Sequence, residues 1–384
     1  MTAPAPAVFA DLAGQEAAVA QLRRAAAEDR PTHAWMFTGP PGSGRSTAAR
    51  AFAAALQCEV ADPAARGCGE CHACRTVLGG THPDVTVLAT EAVSYRIEDV
   101  RALVEAGQST PATGRWRIFL MEDADRMTER ATNVLLKAIE EPPPGTIWLL
   151  CAPSPSDVLV TIRSRCRPVT LRVPPVEAVA ELLERRDGVP AARALECARL
   201  AQSHVGVARR LALYDDARER RRRVVEMPLR LGGVSDAVRE AGRLTRLAEE
   251  EATAESEARD EEERAHLLTS MGAAESGKMP PNVRSALRRL EEDQKRRSKR
   301  VRTDTLDRFL IDLTTFYRDA LTLQLQTGSE LVNQHIADSL RDHALNSTPE
   351  ESLERIDTIA RTRTRIRTSA AAGLAFEAMA VSLL

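Results

Sequence analysis

An apolar stretch, Trp35-Met36-Phe37-Thr38, gives way to Gly39-Pro40-Pro41-Gly42-Ser43-Gly44-Arg45-Ser46, and a helix-favouring run, Thr47 to Leu56, follows at once. A strand, a glycine-rich loop and a helix in that order, with the spacing G-x-x-x-x-G-[K]-[ST], form the layout of a phosphate-binding loop. In such a loop successive backbone N–H groups curl around an anion, and the new helix points its positive end at the same place. Gly39, Gly42 and Gly44 are the candidate cradle, and Ser46 stands where a hydroxyl would reach Mg²⁺. Arg45 stands where a lysine belongs. Lysine is a compact point charge, whereas a guanidinium is longer, planar and forked, so the exchange is not conservative. Two readings stay open: a loop of phosphate-binding descent that does or does not hold ATP/Mg²⁺, and a plain glycine-rich turn.

Four cysteines follow the loop helix: Cys58, then Cys68, Cys71 and Cys74 in two tight C-x-x-C steps. Four thiolates at this spacing match a tetrahedral structural Zn²⁺, with no coordination position left for catalysis. A redox C-x-x-C pair and simple buried thiols are the alternatives. His72 and His82 read as bystanders, and Cys151 and Cys197, in apolar runs, as core.

Further along, Val85 to Leu88 reads as a strand and Ile97 to Ala106 as an amphipathic helix. Arg115 to Met121 reads as a buried strand that ends in Glu122-Asp123, where a phosphate-loop ATPase holds its metal and water. The usual order is Asp then Glu, and here it is reversed. The alternative role for the two acids is capping a helix that begins near Met127. A helix from Ala131 is stopped at Pro142-Pro143-Pro144, and Thr146 to Cys151 is another buried strand. The lead-in, Val8 to Gln15, reads either as a cover for a nucleotide base or as a capped helix start.

Together these residues resemble the AAA+ clamp-loader family of bacterial DNA polymerase III. The resemblance covers about residues 8–215 and is carried by the loop, the four-cysteine insert, His82-Pro83-Asp84, Glu122-Asp123-Ala124-Asp125-Arg126-Met127-Thr128, Asn133 to Lys137 with Glu140-Glu141-Pro142, and Ser164-Arg165-Cys166. It implies an α/β AAA+ P-loop domain with a zinc module (residues 1–172), a small helical lid (173–215) and an all-α collar (216–384). It implies a subunit of a hetero-pentamer, with tau/gamma and delta partners, that sets a sliding clamp on primed DNA. By the same resemblance Arg165 is an arginine finger for a neighbour's ATP, and Arg209 the lid arginine that reports on nucleotide. Arg45, the reversed acids, and Ala152-Pro153 where hydrolysing members carry threonines all lean toward the non-hydrolysing delta-prime branch. An ATP-hydrolysing tau/gamma-like motor and a zinc-stapled nucleic-acid-binding protein are the competing readings.

The chain has 384 residues, 43% of them hydrophobic but only 3% aromatic, which suits aliphatic, helix-rich cores in two or three domains. A net charge of -2 argues against a basic coat, so any DNA contact must be local. Neither a signal peptide nor a membrane span is read from the sequence, and a cytoplasmic protein is expected. From Asp215 the pattern is helical. Residues 249–263 are acidic, 270–281 read as a break, and 284–302 are rich in Lys and Arg. The stretch near 245–300 reads as an insertion whose charges are solvated helix faces, the alternative being contact with DNA phosphates or an acidic partner. Leu306 to Leu325 reads as a buried collar helix, and Arg361, Arg363, Arg365 and Arg367 as solvated.

Overall fold

The apolar runs of the first half pair into one parallel sheet. A computed structural model of the chain describes residues 6–90, 94–270, 281–367 and 371–384. Strands β1 (Ala34–Thr38), β2 (Val85–Leu88), β3 (Arg117–Met121), β4 (Thr146–Ala152) and β5 (Arg167–Thr170) lie in the order β2-β3-β4-β1-β5. Every residue of β1 and β4 is buried, as helices on both faces of a parallel sheet require. Those helices are α1 (Glu16–Ala27), α2 (Arg45–Gln57), α3 (His72–Leu78), α4 (Ile97–Ala106), α5 (Glu129–Glu140) and the single turn α6 (Val160–Arg163). Alternate strand residues feed two cores. Trp35 and Phe37 meet Phe52 of α2 on one face, at 4.9 and 6.3 Å between ring centres. Met36, Phe119 and Trp148 pack with α4 and α5 on the other, the two rings stacked at 4.7 Å.

Two expected boundaries move, each for a visible reason. β3 begins at Arg117 rather than Arg115 because Gln57 of α2 accepts the N–H groups of Arg115 and Trp116 and donates to the Trp116 carbonyl. Those two residues bond to a helix and so cannot join the sheet. α5 begins at Glu129 because Ala124–Arg126 first makes a 3₁₀ turn and the Thr128 hydroxyl then caps the helix at the N–H of Ala131.

Three helices complete this part: α7 (Val176–Asp187), α8 (Ala191–Leu200) and α9 (Val205–Leu213). The chain divides into two compact units, Met1–Leu213 and Tyr214–Leu384, so this small helical group belongs to the same unit as the sheet. The lead-in is tied down by Gln15, which donates to the carbonyls of Ser43 (3.3 Å) and Arg172 (2.7 Å) and accepts from the Arg172 N–H.

Among its described residues the second unit has helices and no strand: α10 (Asp215–Val225), α11 (Val234–Ser270), α12 (Pro281–Gln324), α13 (Ala337–Leu345), α14 (Pro349–Arg367) and α15 (Ala372–Ser382). The expected collar helix is the last part of α12, and Leu306, Phe309, Leu310, Leu313, Phe316 and Tyr317 are all buried. Within this core Arg221 pairs with Asp312 at 3.0 Å. The acidic and basic runs are partners of each other, not merely solvated faces. α11 and α12 run antiparallel, with ion pairs Arg302–Glu249 (2.7 Å), Arg297–Glu263 (2.6 Å) and Arg264–Glu291 (3.4 Å). Arg363 likewise grips Asp307 with two bonds of 2.8 and 2.9 Å. The expected break at 270–281 falls almost wholly outside the described residues.

Asp84 anchors the edge of the sheet. Its carboxylate has no exposed surface and accepts the N–H groups of Ala112 (2.7 Å), Thr113 (2.8 Å) and Gly114 (2.7 Å), with Arg117 at 3.2 Å. Burial opposes its ionisation, but these donors outweigh burial and hold the carboxyl well below its ordinary range. A depressed folded-state pKa stabilises above the unfolded value and loses that stabilisation as pH falls below it. Asp84→Ala is therefore expected to cost about 3–5 kcal/mol at neutral pH. The loss relative to the parent chain should shrink on acidification below about pH 4, as measured by urea unfolding across pH.

Candidate functional site

The register of β1 on β4 sets Phe37 beside Cys151 and Thr38 beside Ala152, so the glycine-rich loop leaves the sheet at its carboxyl edge. That edge is where open α/β sheets take their ligands. The loop turns into α2 at Gly44 (φ +91°), a left-handed conformation that favours glycine. Two hydrogen bonds close the loop on itself. Arg45 Nη1 donates to the Gly39 carbonyl at 2.5 Å, and the Ser43 N–H donates to the Pro40 carbonyl at 3.1 Å. The hydroxyls of Thr38 and Ser43 are buried without a hydrogen-bond partner. Ser46 is half-buried in the first turn of α2. His204, between α8 and α9, lies against Gly42 so closely that a Cβ there would come within 2.4 Å of its ring. Two left-handed residues, Gln202 (φ +48°) and Ser203 (φ +63°), turn the chain just before it.

The acids at the end of β3 converge on the same edge. Glu122 pairs with Arg50 of α2 at 2.9 Å, and Asp123, itself left-handed (φ +50°), lies 3.5 Å from Arg126. Burial, then the Glu122 charge, pushes the Cys151 thiol up, and Arg45 opposes them. Arg45 and both acids are thus within electrostatic reach of Cys151, near the end of β4. Asp125 has a buried carboxylate oxygen without a hydrogen bond, and burial followed by the Asp123 charge raises its carboxyl. Sequence reasoning quoted Asp125 only as part of a motif and missed His204 and Arg50. The alternating acids Glu122-Asp123-Ala124-Asp125 were a usable signal, whereas nothing local marks His204.

Arg209 does not join this group through its ion pair, which is with Asp187 at the end of α7 (2.8 Å). Burial opposes ionisation of Asp187, but hydrogen bonds from Arg209 and Arg186 hold its carboxyl below the ordinary range. Arg165, just after α6, is exposed. It pairs with Glu140 at 2.7 Å and donates to the Thr161 carbonyl at 2.9 Å. Leu159 and Val160 beside it are also exposed.

The four cysteines do come together. The Sγ atoms of Cys58, Cys68, Cys71 and Cys74 all lie within 4.8 Å of one another, with Cys58 and Cys68 at 3.7 Å. Backbone N–H groups of Cys71 and Cys74 point at the sulfurs of Cys68 and Cys71, both at 3.4 Å. Burial opposes a thiolate at Cys58, but the N–H groups of Cys68, Val60 and Gly67 outweigh it and take the thiol down to about 7. Four converging sulfurs supplied with N–H donors suit a thiophilic cation, and the donor set fits a metal ion. His82 stays outside, its Nδ1 accepting the Asp84 N–H, and His72 is exposed.

Residues 14–175 match the family described as DNA polymerase III, delta subunit. The delta' subunit of DNA polymerase III from Pseudomonas aeruginosa is 41% identical over 167 residues, 43% of this chain and 50% of that one. Gamma/tau from Mycobacterium bovis is 35% identical over 181 residues, 47% of this chain and 31% of that one. The chain thus spans half or less of the length of these relatives. A Thermotoga maritima RuvB variant aligns with 58% of this chain and 65% of its own at a TM-score of 0.39 and 17% identity. A gamma subunit-related protein from the same organism aligns with 90% of this chain and 99% of its own at 0.35 and 15%. No helix among the described residues is long and apolar enough to cross a membrane.

Cys71→Ser is expected to abolish binding of about one metal ion per chain and to lower the melting temperature. Elemental analysis and thermal unfolding of the purified variant check both. Retained metal would remove Cys71 from the ligand set.

Proposed function

We propose that this chain, whose residues 14–175 match the family described as DNA polymerase III, delta subunit, is a delta-prime-like, largely non-catalytic clamp-loader subunit. In this reading it assembles with tau/gamma and delta subunits in a hetero-pentamer, helps set a sliding clamp on primed DNA, and contributes Arg165 to a neighbour's ATP site. The observation that carries it is Arg45, whose guanidinium folds back to donate to the Gly39 carbonyl of its own loop. A phosphate-loop lysine would offer that charge to the β- and γ-phosphates. His204 against Gly42 and the Glu122–Arg50 pair add to this reading. The motor reading finds support in the gamma/tau relatives, but Arg45 and the reversed acids count against it.

Arg165 is suited to act in trans. An exposed ion pair such as Arg165–Glu140 contributes about 0–1 kcal/mol, so it holds the guanidinium without trapping it. A phosphate oxygen is a stronger partner, because charge-assisted bonds to several N–H donors add up. The exposed Leu159 and Val160 offer an apolar edge to the neighbour beside it. In this proposal the metal is Zn²⁺, held by Cys58, Cys68, Cys71 and Cys74. Its part is structural, pinning the segment between α2 and β2, because four protein thiolates close the coordination sphere.

In a complex reconstituted with its partner subunits, Arg165→Ala should lower turnover at one ATP site by about 10³-fold or more. Unchanged turnover would remove the finger. Calorimetry on the purified chain with ATP and Mg²⁺ should show no binding, and Arg45→Lys should not restore hydrolysis. Clear ATP binding by the parent chain would favour the motor reading.

A further inference from the structure

Residues 6–15 cross the first unit without joining its sheet or its α-helices, and their one regular element is the 3₁₀ turn Ala7–Phe9. This strap is fastened in three different parts of the unit. At its start the Val8 N–H donates to the Gly67 carbonyl at 3.2 Å. The approach is close, since a Cβ on Gly67 (φ +97°) would come within 2.8 Å of Val8 Cγ2. In the middle Leu12 lies against Gly44 of the glycine-rich loop, and the Ala10 carbonyl accepts from Arg185 of α7 at 2.5 Å. At its end Gln15 holds the Ser43 carbonyl and both the N–H and the carbonyl of Arg172. Gly14 there sits so near Pro175, the residue before α7, that a Cβ would come within 2.6 Å of the proline ring.

The first fastening belongs to the cysteine cluster. The Gly67 N–H serves the Cys58 sulfur while the Gly67 carbonyl takes Val8, so one residue faces both the cluster and the strap. Val8 and Phe9 share a buried core with Cys58 and Cys74. Between Cys58 and Cys68 the chain has a single 3₁₀ turn, Pro63–Ala65, and no residue of that turn is buried. Such a segment takes its shape from its ligands: four sulfurs within 4.8 Å repel as thiolates until a cation joins them, and the free energy of metal binding is then the folding free energy of the segment.

We propose that the metal-bearing segment anchors the strap, and that the strap passes this hold to the joint between the sheet and the small helical group, Arg172 to Pro175. The inference rests on the metal reading of the four cysteines given above. With the anchor made, Gln15 is kept on Ser43 and Arg172, and the helical group stays seated with His204 on Gly42. With the anchor lost, the strap opens as one short unit of low local stability, because only scattered hydrogen bonds and contacts remain to hold it. The cysteine cluster thus acts on the rim of the glycine-rich loop through residues that carry no sulfur.

Hydrogen exchange of the full chain, read by mass spectrometry beside elemental analysis, tests this. Removing the metal with a chelator should speed exchange in peptides spanning residues 6–15 and 170–176 by about tenfold or more and leave β1 and β4 unchanged. Val8→Ala touches no cysteine, so it should keep the metal and still speed exchange in both peptides. In Gln15→Ala the 170–176 peptide should already exchange fast, and chelation should add nothing there while still loosening residues 6–12. Equal exchange in loaded and stripped chains overturns the proposal. So does a Val8→Ala chain whose 170–176 peptide keeps the parent's protection, or a chelated chain that loses protection in β1 and β4 as well. A parent chain that carries no metal fails the metal reading itself, and the anchor with it.

Discussion

The two central strands, β1 and β4, have no exposed residue, and each feeds both faces of the sheet with alternate side chains. A one-residue slip of β1 on β4 would exchange Trp35 and Phe37 with Met36 between two differently shaped cores. Their register is thus fixed by packing. It fixes in turn where the glycine-rich loop emerges, where α2 starts, and which groups at the end of β3 face the loop. Everything chemical in the first unit inherits its position from that pairing.

Given that position, the loop's own residues decide what it can do. An arginine at the lysine position is long enough to fold back onto the Gly39 carbonyl, and the other cation of α2 near the acids, Arg50, takes Glu122. Of the charges that an ATP site would leave for phosphate and metal, Glu122 is paired with Arg50, and Arg45 is hydrogen-bonded to its own loop. Arg165 differs in kind: its partner Glu140 is exposed, and its surroundings include exposed Leu159 and Val160. The exposed, loosely held guanidinium is what the role proposed for Arg165 requires.

The second unit solves a different problem. Two helices of 37 and 44 residues carry long runs of like charge that would repel each other if segregated. Antiparallel pairing brings the acidic run of one beside the basic run of the other, and the ion pairs between them register the helices where large apolar side chains are scarce.

By itself the sequence determined the elements and the local chemistry. Apolar runs, glycine spacing, prolines after Glu141 and four cysteines in C-x-x-C steps each act within a few residues, so β1, α2, α4, the buried part of α12 and the sulfur cluster were legible. Groups brought together from distant parts of the chain were not. Gln57 withdrawing Arg115 and Trp116 from β3, His204 seated on Gly42, Arg209 turned to Asp187, and basic residues near 300 paired with acids near 260 all join residues far apart in the chain. Periodicity carries no information about which side chain will arrive from elsewhere. Whether a charge is solvated, spent on a neighbour or left over is therefore decided only by the tertiary structure.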